Sequence, residues 1–355
     1  MMKMKIFSML LAAALTASLA GCSGAPAQSG SAQSTPAPAP SSSTESQSSS
    51  APKNSGPYKI SVIIKATDSD YWQTLLLGSK AAEADSNGKV TVTTDGPPSE
   101  IDIDQQVSIL ENVIATKPDA IVIASTSTDA TVPAIEDAMS KGIPVITIDN
   151  KLNTDTYTSF LATDHALAAG TAAENMLALW EKDGIDPAGK KVVVVSSVAG
   201  TKVNGDRTDG FINKIKELVP DIQVLETQYG DNDITKALSI TENLIAANPD
   251  LIGIFADNNH MGVGVAKALE ESGKQNDIYA YAFDADADEI SALESGILRG
   301  LVVQDPFGMG YQGVQYAVSA IEGNTVEKDV IVDATVVTKD NMQEEKVQKL
   351  LYPGK

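Results

Sequence analysis

The sequence predicts an α/β protein of two similar lobes, each a parallel sheet flanked by helices, and three features carry that prediction. Residues 143–148 are apolar on both faces, as a strand inside a parallel sheet must be, and the run stops at Asp149. Residues 111–119 (ENVIATKPD) return as residues 242–250 (ENLIAANPD), identical at six of nine positions. After each copy the chain repeats one plan of strand, helix and strand, and the second strands, 143–149 and 278–284, both end in aspartate. A carboxylate at the end of a buried strand must face a crevice, a partner or water. Ligands of open α/β sheets bind in the crevice at those strand ends. The repeat therefore predicts twin lobes facing each other across a cleft, each delivering one acid, Asp149 and Asp284.

In chain order, residues 1–21 read as an export signal. Lys3 and Lys5 precede the apolar run 6–20, which is too short for a normally flanked membrane span. The run closes on LAGC (19–22), which resembles the lipobox of bacterial lipoproteins, and implies lipidation of Cys22 as the mature N-terminus. More than one acyl chain on that residue would anchor the protein stably, each buried methylene adding roughly 0.8 kcal/mol. Residues 22–57, rich in Ser, Pro, Ala, Gly and Gln, lack the apolar bulk to fold and read as a disordered tether. At roughly 3.3 Å per residue it reaches on the order of 100 Å.

The globular part opens with a strand at 60–64 whose end carries KATDSDYW (65–72). A helix is expected over 71–85 with Ser69 or Asp70 as its cap, then a strand at 90–94. Helices at 103–116 and 132–141 show apolar residues at three- and four-residue spacing and enclose a strand at 120–124. A new lobe begins near residues 163–164. Its expected elements are helices at 167–182, 205–219, 234–247, 261–273 and 287–295, alternating with strands at 191–196, 222–227, 251–256, 278–284 and 300–304. A helix at 307–322 and short strands near Val330 and at 335–337 complete the chain. Such alternation requires parallel sheets with right-handed crossovers.

Composition narrows the function. The chain has 355 residues, 43% hydrophobic, enough for two lobes with real cores. A net charge of −21 makes nucleic acid a poor partner, since phosphate binding needs clustered Lys and Arg. With Cys22 the single cysteine and His165 and His260 the only histidines, no internal disulfide can form, and neither a metal site of usual ligand type nor a cofactor is expected. GMGYQG (308–313) matches the dinucleotide-binding glycine pattern, but Pro306 separates it from its strand and no βαβ unit follows. Small residues for close helix packing explain it better. GIDPAGKK (184–191) lacks the Ser or Thr of a phosphate loop and precedes its strand. DADAD (284–288) mimics a calcium loop but lacks both the turn glycine and the closing glutamate.

No nucleophile elbow or HExxH pair is present. Asp149 and Asp284 could serve as the two carboxylates of a secreted glycosidase, yet nothing near either in sequence argues for a protonated acid. Accepting hydrogen bonds from adjacent sugar hydroxyls is the more natural role. Other strand ends supply matching chemistry: Lys65, Ser69, Tyr71 and Trp72 after the first strand, Arg207 in the helix after 191–196, then Asn232, Asn258 and Gln304. Each has a plain structural alternative as core, cap or surface ion pair. Together they form a candidate polyol site.

The motifs ISVIIKATDSDYW, KPDAIVIAS, GIPVITIDN, FLATDH, VAGTKVNGDRTDGF, NPDLIGIFADNN, YAFDA and LVVQDPFGMGYQG, in this order and spacing, resemble the periplasmic sugar-binding proteins of the ribose, allose and galactose group. That resemblance spans residues 58–339. It implies two Rossmann-like lobes of the type I periplasmic binding protein fold, 58–163 plus 305–332 and 164–304 plus 333–355. Three segments near residues 162–164, 304–306 and 333–334 would join them. The implied ligand residues are Lys65, Ser69, Tyr71, Trp72, Asp149, Asn150, Arg207, Asn232, Asn258, Asp284 and Gln304. Lys65 is similar to the allose type, whereas Asn150 replaces an arginine of the ribose type and Asn232 an aromatic ring. The implied protein is a monomeric, lipid-anchored binding protein on the outer face of the bacterial cytoplasmic membrane, not an enzyme. It would deliver one monosaccharide to the transmembrane subunits of an ATP-driven permease, closing by a hinge. A sensor for a signalling furanose or cyclitol, coupled to a kinase or chemoreceptor, is the alternative within the same fold.

Overall fold

A computed structural model describes residues 57–353. The expected export signal, Cys22 and nearly all of the tether lie outside those residues. The strands β1 (Tyr58–Ile63), β2 (Val90–Asp95), β3 (Ala120–Ala124), β4 (Val145–Ile148), β5 (Ser159–Thr163) and β12 (Asp329–Val332) form one parallel sheet in the order β12-β5-β4-β3-β1-β2. The second sheet runs β13 (Thr335–Val337), β11 (Gly300–Val303), β10 (Tyr279–Phe283), β9 (Leu251–Ala256), β6 (Lys191–Ser196), β7 (Gln223–Val224), with β8 (Gln228–Tyr229) also on β6. Its pairs are parallel except β11 with β13. The chain therefore passes between the sheets three times, after β5, after β11 and after β12.

Both faces of each sheet are covered, which is why the inner strands are apolar without alternation. In the first sheet Ile121, Ile123 and Val145 pack with Leu110, Ile114 and Ile135 of the helices α2 (Ile103–Ala115) and α3 (Val132–Ser140). Val122, Ile146 and Ile60 face the other way, onto Trp72 and Leu75 of α1 (Asp70–Asp85) and Met309 and Val314 of α9 (Pro306–Ile321). In the second sheet Val192, Val194, Phe255 and Phe283 meet Met176 and Trp180 of α4 (His165–Asp183) and Phe211 and Ile215 of α5 (Lys202–Leu218). Val193, Ile254 and Ala282 turn to Ala237 of α6 (Ile234–Ala247), Val265 of α7 (Asn259–Ser272) and Leu293 of α8 (Ala287–Ser295).

Helix starts follow their caps. Thr201 accepts from the Asn204 amide, so α5 begins three residues before the expected 205; Asn258 accepts from the Met261 amide, so α7 begins at Asn259 rather than 261. The expected strand 222–227 is broken: Gln223 and Val224 pair beside Lys191 and Val192, the chain lifts off, and Gln228 and Tyr229 rejoin β6 beside Val195 and Ser196. Strand β5 and the terminal helix α10 (Glu345–Leu351) complete the framework. The glycines of the 308–313 motif lie on α9, where a Cβ on Gly310 would overlap the Leu75 carbonyl of α1. That close approach accounts for the pattern.

Candidate functional site

The two aspartates are built alike. Asp149 and Asp284 both adopt left-handed backbone, φ 68° and 77°, a conformation an aspartate tolerates better than most side chains. The amide of each donates to the next strand, Asp149 to Leu161 O at 2.8 Å and Asp284 to Val302 O at 2.9 Å. Each strand thus stops one residue before its acid and swings the carboxylate off the end of the sheet. Both line one cleft with about 330 Å³ free of atoms, part of it open to solvent, together with Lys65, Ser69, Tyr71, Trp72, Arg207, Asn258 and Gln304. Nine of the eleven expected ligand residues are therefore gathered at one place.

Their electrostatics differ. Burial pushes Asp149 upward, but the Lys65 ammonium 2.5 Å away, His165 at 3.4 Å and Arg207 outweigh it and hold the carboxyl well below the usual carboxylate range. Burial raises Asp284, only partly opposed by Arg207 and by the Gln304 amide donating to its Oδ1 at 2.6 Å. The contrast between the acids is one requirement of paired acid–base work, and it is invisible in sequence. Arg207 is itself buried: Nε donates to His165 Nδ1 at 3.3 Å, Nη1 to Asp257 O at 2.7 Å, and the guanidinium lies 3.9 Å over the Phe283 ring. No carboxylate among the described residues forms an ion pair with it.

The aromatic pair is half wall, half core. Tyr71 and Trp72 meet edge to face at 4.7 Å, and Trp72 Nε1 donates to Glu100 Oε1 at 2.7 Å. Lys65 Nζ sits 5.4 Å over the Trp72 ring. Asn259 Nδ2 bonds both Asp286 Oδ2 at 2.8 Å and Ser69 Oγ at 2.9 Å, tying the second sheet's α7 to the start of α1 on the first. Two expected residues lie behind the lining. Asn232 accepts from Asn258 Nδ2 at 2.6 Å through its side chain, and its carbonyl meets His260. Asn150 is buried with neither side-chain polar atom hydrogen-bonded.

Glu100, Asn204 and Asn259 line the cavity although the sequence does not single them out. Glu100 sits in an irregular segment after β2, with no strand end to mark it. Asn259 is adjacent to the expected Asn258, and Asn204 lies on the helix face of Arg207, one turn earlier. The lining offers carboxylates, amides and two cations, with no nucleophile and base in contact, which suits a neutral polyhydroxylated ligand. No group of three or more His, Cys, Asp or Glu among the described residues is placed to hold a metal.

Burial also leaves a pH signature. Asp257 and Asp286 are each pushed up to about 7, and Glu289 is raised well above its usual range by burial and by neighbouring Asp286 and Asp284. Raised acids stabilise fully below the unfolded value of about 3.9, and that contribution is lost as pH rises through about 7. Buried His165, lowered chiefly by burial, opposes with one proton. Asp149 stays ionised in both states through this window and adds no slope. Thermal melts of the ligand-free protein should show Tm falling as pH rises from about 5 to about 7; a Tm that climbs across that interval would contradict this charge assignment.

Residues 60–325 match the periplasmic binding protein domain. The ribose import binding protein of Haemophilus influenzae is 31% identical over 280 residues, covering 79% of this chain and 91% of that protein. A carbohydrate transporter solute-binding protein of Agrobacterium radiobacter, solved with D-arabinose, superposes with TM-score 0.79 at 35% identity, covering 84% of this chain and all of the other. An Agrobacterium vitis transporter solute-binding protein with D-fucose gives TM-score 0.77 at 34% identity, covering 83% of this chain and all of the other.

Proposed function

We propose, from the premise that this chain belongs to the periplasmic binding protein domain family, that it is the substrate-binding protein of an ATP-driven sugar importer and holds one monosaccharide between its two sheets. The observation that carries this reading is the pair of matched aspartates, one from each sheet, opening with Arg207 and Gln304 into a single small polar cavity. Asp149, Arg207, Asn258, Asp284 and Gln304 hold ring hydroxyls, each charge-assisted bond contributing roughly 1.5–3 kcal/mol before desolvation. Lys65 both fixes Asp149 and donates to the ligand, and Trp72 presents its edge or face to the ring. Asn150 and Asn232 support the wall in this reading; Asn150, with its polar atoms unpaired, reaches a partner when the lobes move. Neither sheet alone satisfies every hydroxyl, so ligand favours the closed form through contacts made only there. The Ser69–Asn259 bond is one contact that opening breaks.

The relatives are binding proteins, and the contrast between Asp149 and Asp284 needs no turnover to explain it. Export, lipidation at Cys22, a free-moving tether and a monomeric state complete the proposal. D-Ribose, D-allose, D-arabinose and D-fucose are the sugars to titrate first. A true ligand at a hundredfold excess over Kd raises stability by about 2.7 kcal/mol, read as a shift in melting temperature and confirmed by calorimetry. No shift with any aldose or ketose in a broad panel, or release of a chromogenic aglycone from a glycoside dependent on Asp149, would replace this reading.

A further inference from the structure

The lobe that carries Asp284 has a second cavity at its opposite pole. Lys182 lies in the last turn of α4, Leu298 and Arg299 lead into β11, Lys339 follows β13, and Tyr281 stands beside Gly300, the first residue of β11. All of them cluster at the end of the sheet away from Gln304 and the sugar site. They line a concavity with about 740 Å³ free of atoms.

Its charge is the reverse of the molecule's. In a chain of net charge −21, this lining holds three cations, Lys182, Arg299 and Lys339, against one acid, Asp340, which is 86% exposed and 3.6 Å from Lys182. The cationic heads converge: Lys339 Nζ and Arg299 Nη1 lie 3.1 Å and 3.9 Å from the point where a Cβ on Gly296 would sit, a position glycine leaves empty with φ 85°. Arg299 is held in place by Nη2 donating to Gln275 O at 2.9 Å and by the Tyr279 ring 4.8 Å away, yet its Nε–H is buried with no acceptor. With that edge shut off from solvent, an anion in the cavity meets Arg299 at Nη1, which lies with Lys339 Nζ beside Gly296. Gly300 has its own role, since a Cβ there would collide with the Tyr281 ring; its absence lets that ring lie across β11. Burial raises the Tyr281 phenol, so its hydroxyl stays protonated. Leu179 and Leu298 supply an apolar wall.

We propose that this cavity is a second binding site, for a small organic phosphate whose anion sits between Arg299 and Lys339 and whose carbon portion lies against Leu179 and Leu298. A guanidinium with free N–H groups and two ammonium groups match the several acceptors of a phosphate better than the two of a carboxylate. Occupancy here is independent of the sugar cavity and of its assignment.

The test is titration of the full chain with phenyl phosphate, following arginine side-chain N–H resonances by NMR. The Arg299 Nε–H signal shifts and saturates, inorganic phosphate binds more weakly, and neutral benzyl alcohol leaves the signal in place. Lys339 is exposed, so Lys339→Gln folds normally; it weakens phenyl phosphate by about tenfold, a 1.4 kcal/mol effect, while sugar affinity stays unchanged. A shift that never saturates, or that is the same in Lys339→Gln, overturns the proposal and marks general screening of a basic patch.

Discussion

Asp149→Ala and Asp284→Ala should both abolish monosaccharide binding and yet move stability in different ways. In the proposed site each carboxylate accepts two charge-assisted hydrogen bonds from the ligand, and losing them would cost about 3 kcal/mol, so affinity should fall roughly a hundredfold. In the free protein the two acids have different jobs. Asp149 neutralises Lys65, whose ammonium is 6% exposed and 2.5 Å away. Deleting it leaves a buried uncompensated cation, a loss of roughly 3–5 kcal/mol. Because Asp149 is depressed, that contribution exists above the ordinary carboxylate value and fades only as pH falls below it. Asp284 has no cation within ion-pair distance among the described residues and is raised by burial. Its stabilising contribution is full below the ordinary carboxylate value and declines as pH rises above it, so at neutral pH Asp284→Ala lowers the melting temperature less than Asp149→Ala does. Chemical denaturation beside calorimetry separates the two; equal destabilisation by both substitutions would show that the acids are not divided in this way.

The second large effect is structural. Gly310→Val on α9 places a side chain where the Leu75 carbonyl of α1 already lies, and Gly78 meets Phe307 in the same fashion from the other helix. The obstacle is backbone, so the helices must separate. Overpacking of this kind costs about 3 kcal/mol, and separation here also disturbs Tyr71 and Trp72 at the start of α1. Gly205→Ala is the contrasting case. It lies inside α5 with nothing within 4 Å of an added Cβ, and should gain about 0.5–1 kcal/mol. Urea unfolding of both variants checks the pair. Wild-type stability in Gly310→Val would mean that α1 and α9 do not pack as closely as described.

Much of this architecture is legible in the chain because it is written twice. The repeat at 111–119 and 242–250 sets the shared plan, and the aspartate closing each second strand marks where the sheets point. What the sequence does not carry is the turn itself: nothing in IDN or FDA states that both acids take left-handed backbone and hang from the next strand. The groups that set Asp149 apart, the Lys65 ammonium and the His165 ring, lie 84 and 16 residues away, a convergence that only the fold creates. Glu100 escapes notice because it stands in an irregular segment rather than at a strand end. Asn150 enters through resemblance and Asn232 as the amide that follows 222–227, and here the first is buried without a hydrogen-bond partner and the second braces Asn258. Strand 222–227 reads as continuous, but an edge position lets it leave and rejoin β6.

The central claim is that one acid from each lobe grips a single guest. It is tested most directly by a crystal structure of protein purified without unfolding, grown with the sugar that calorimetry selects. The account predicts density for one pyranose or furanose ring between the sheets, with hydroxyls within hydrogen-bond distance of both Asp149 and Asp284. A ring bound elsewhere, or held by only one of the two carboxylates, would contradict it.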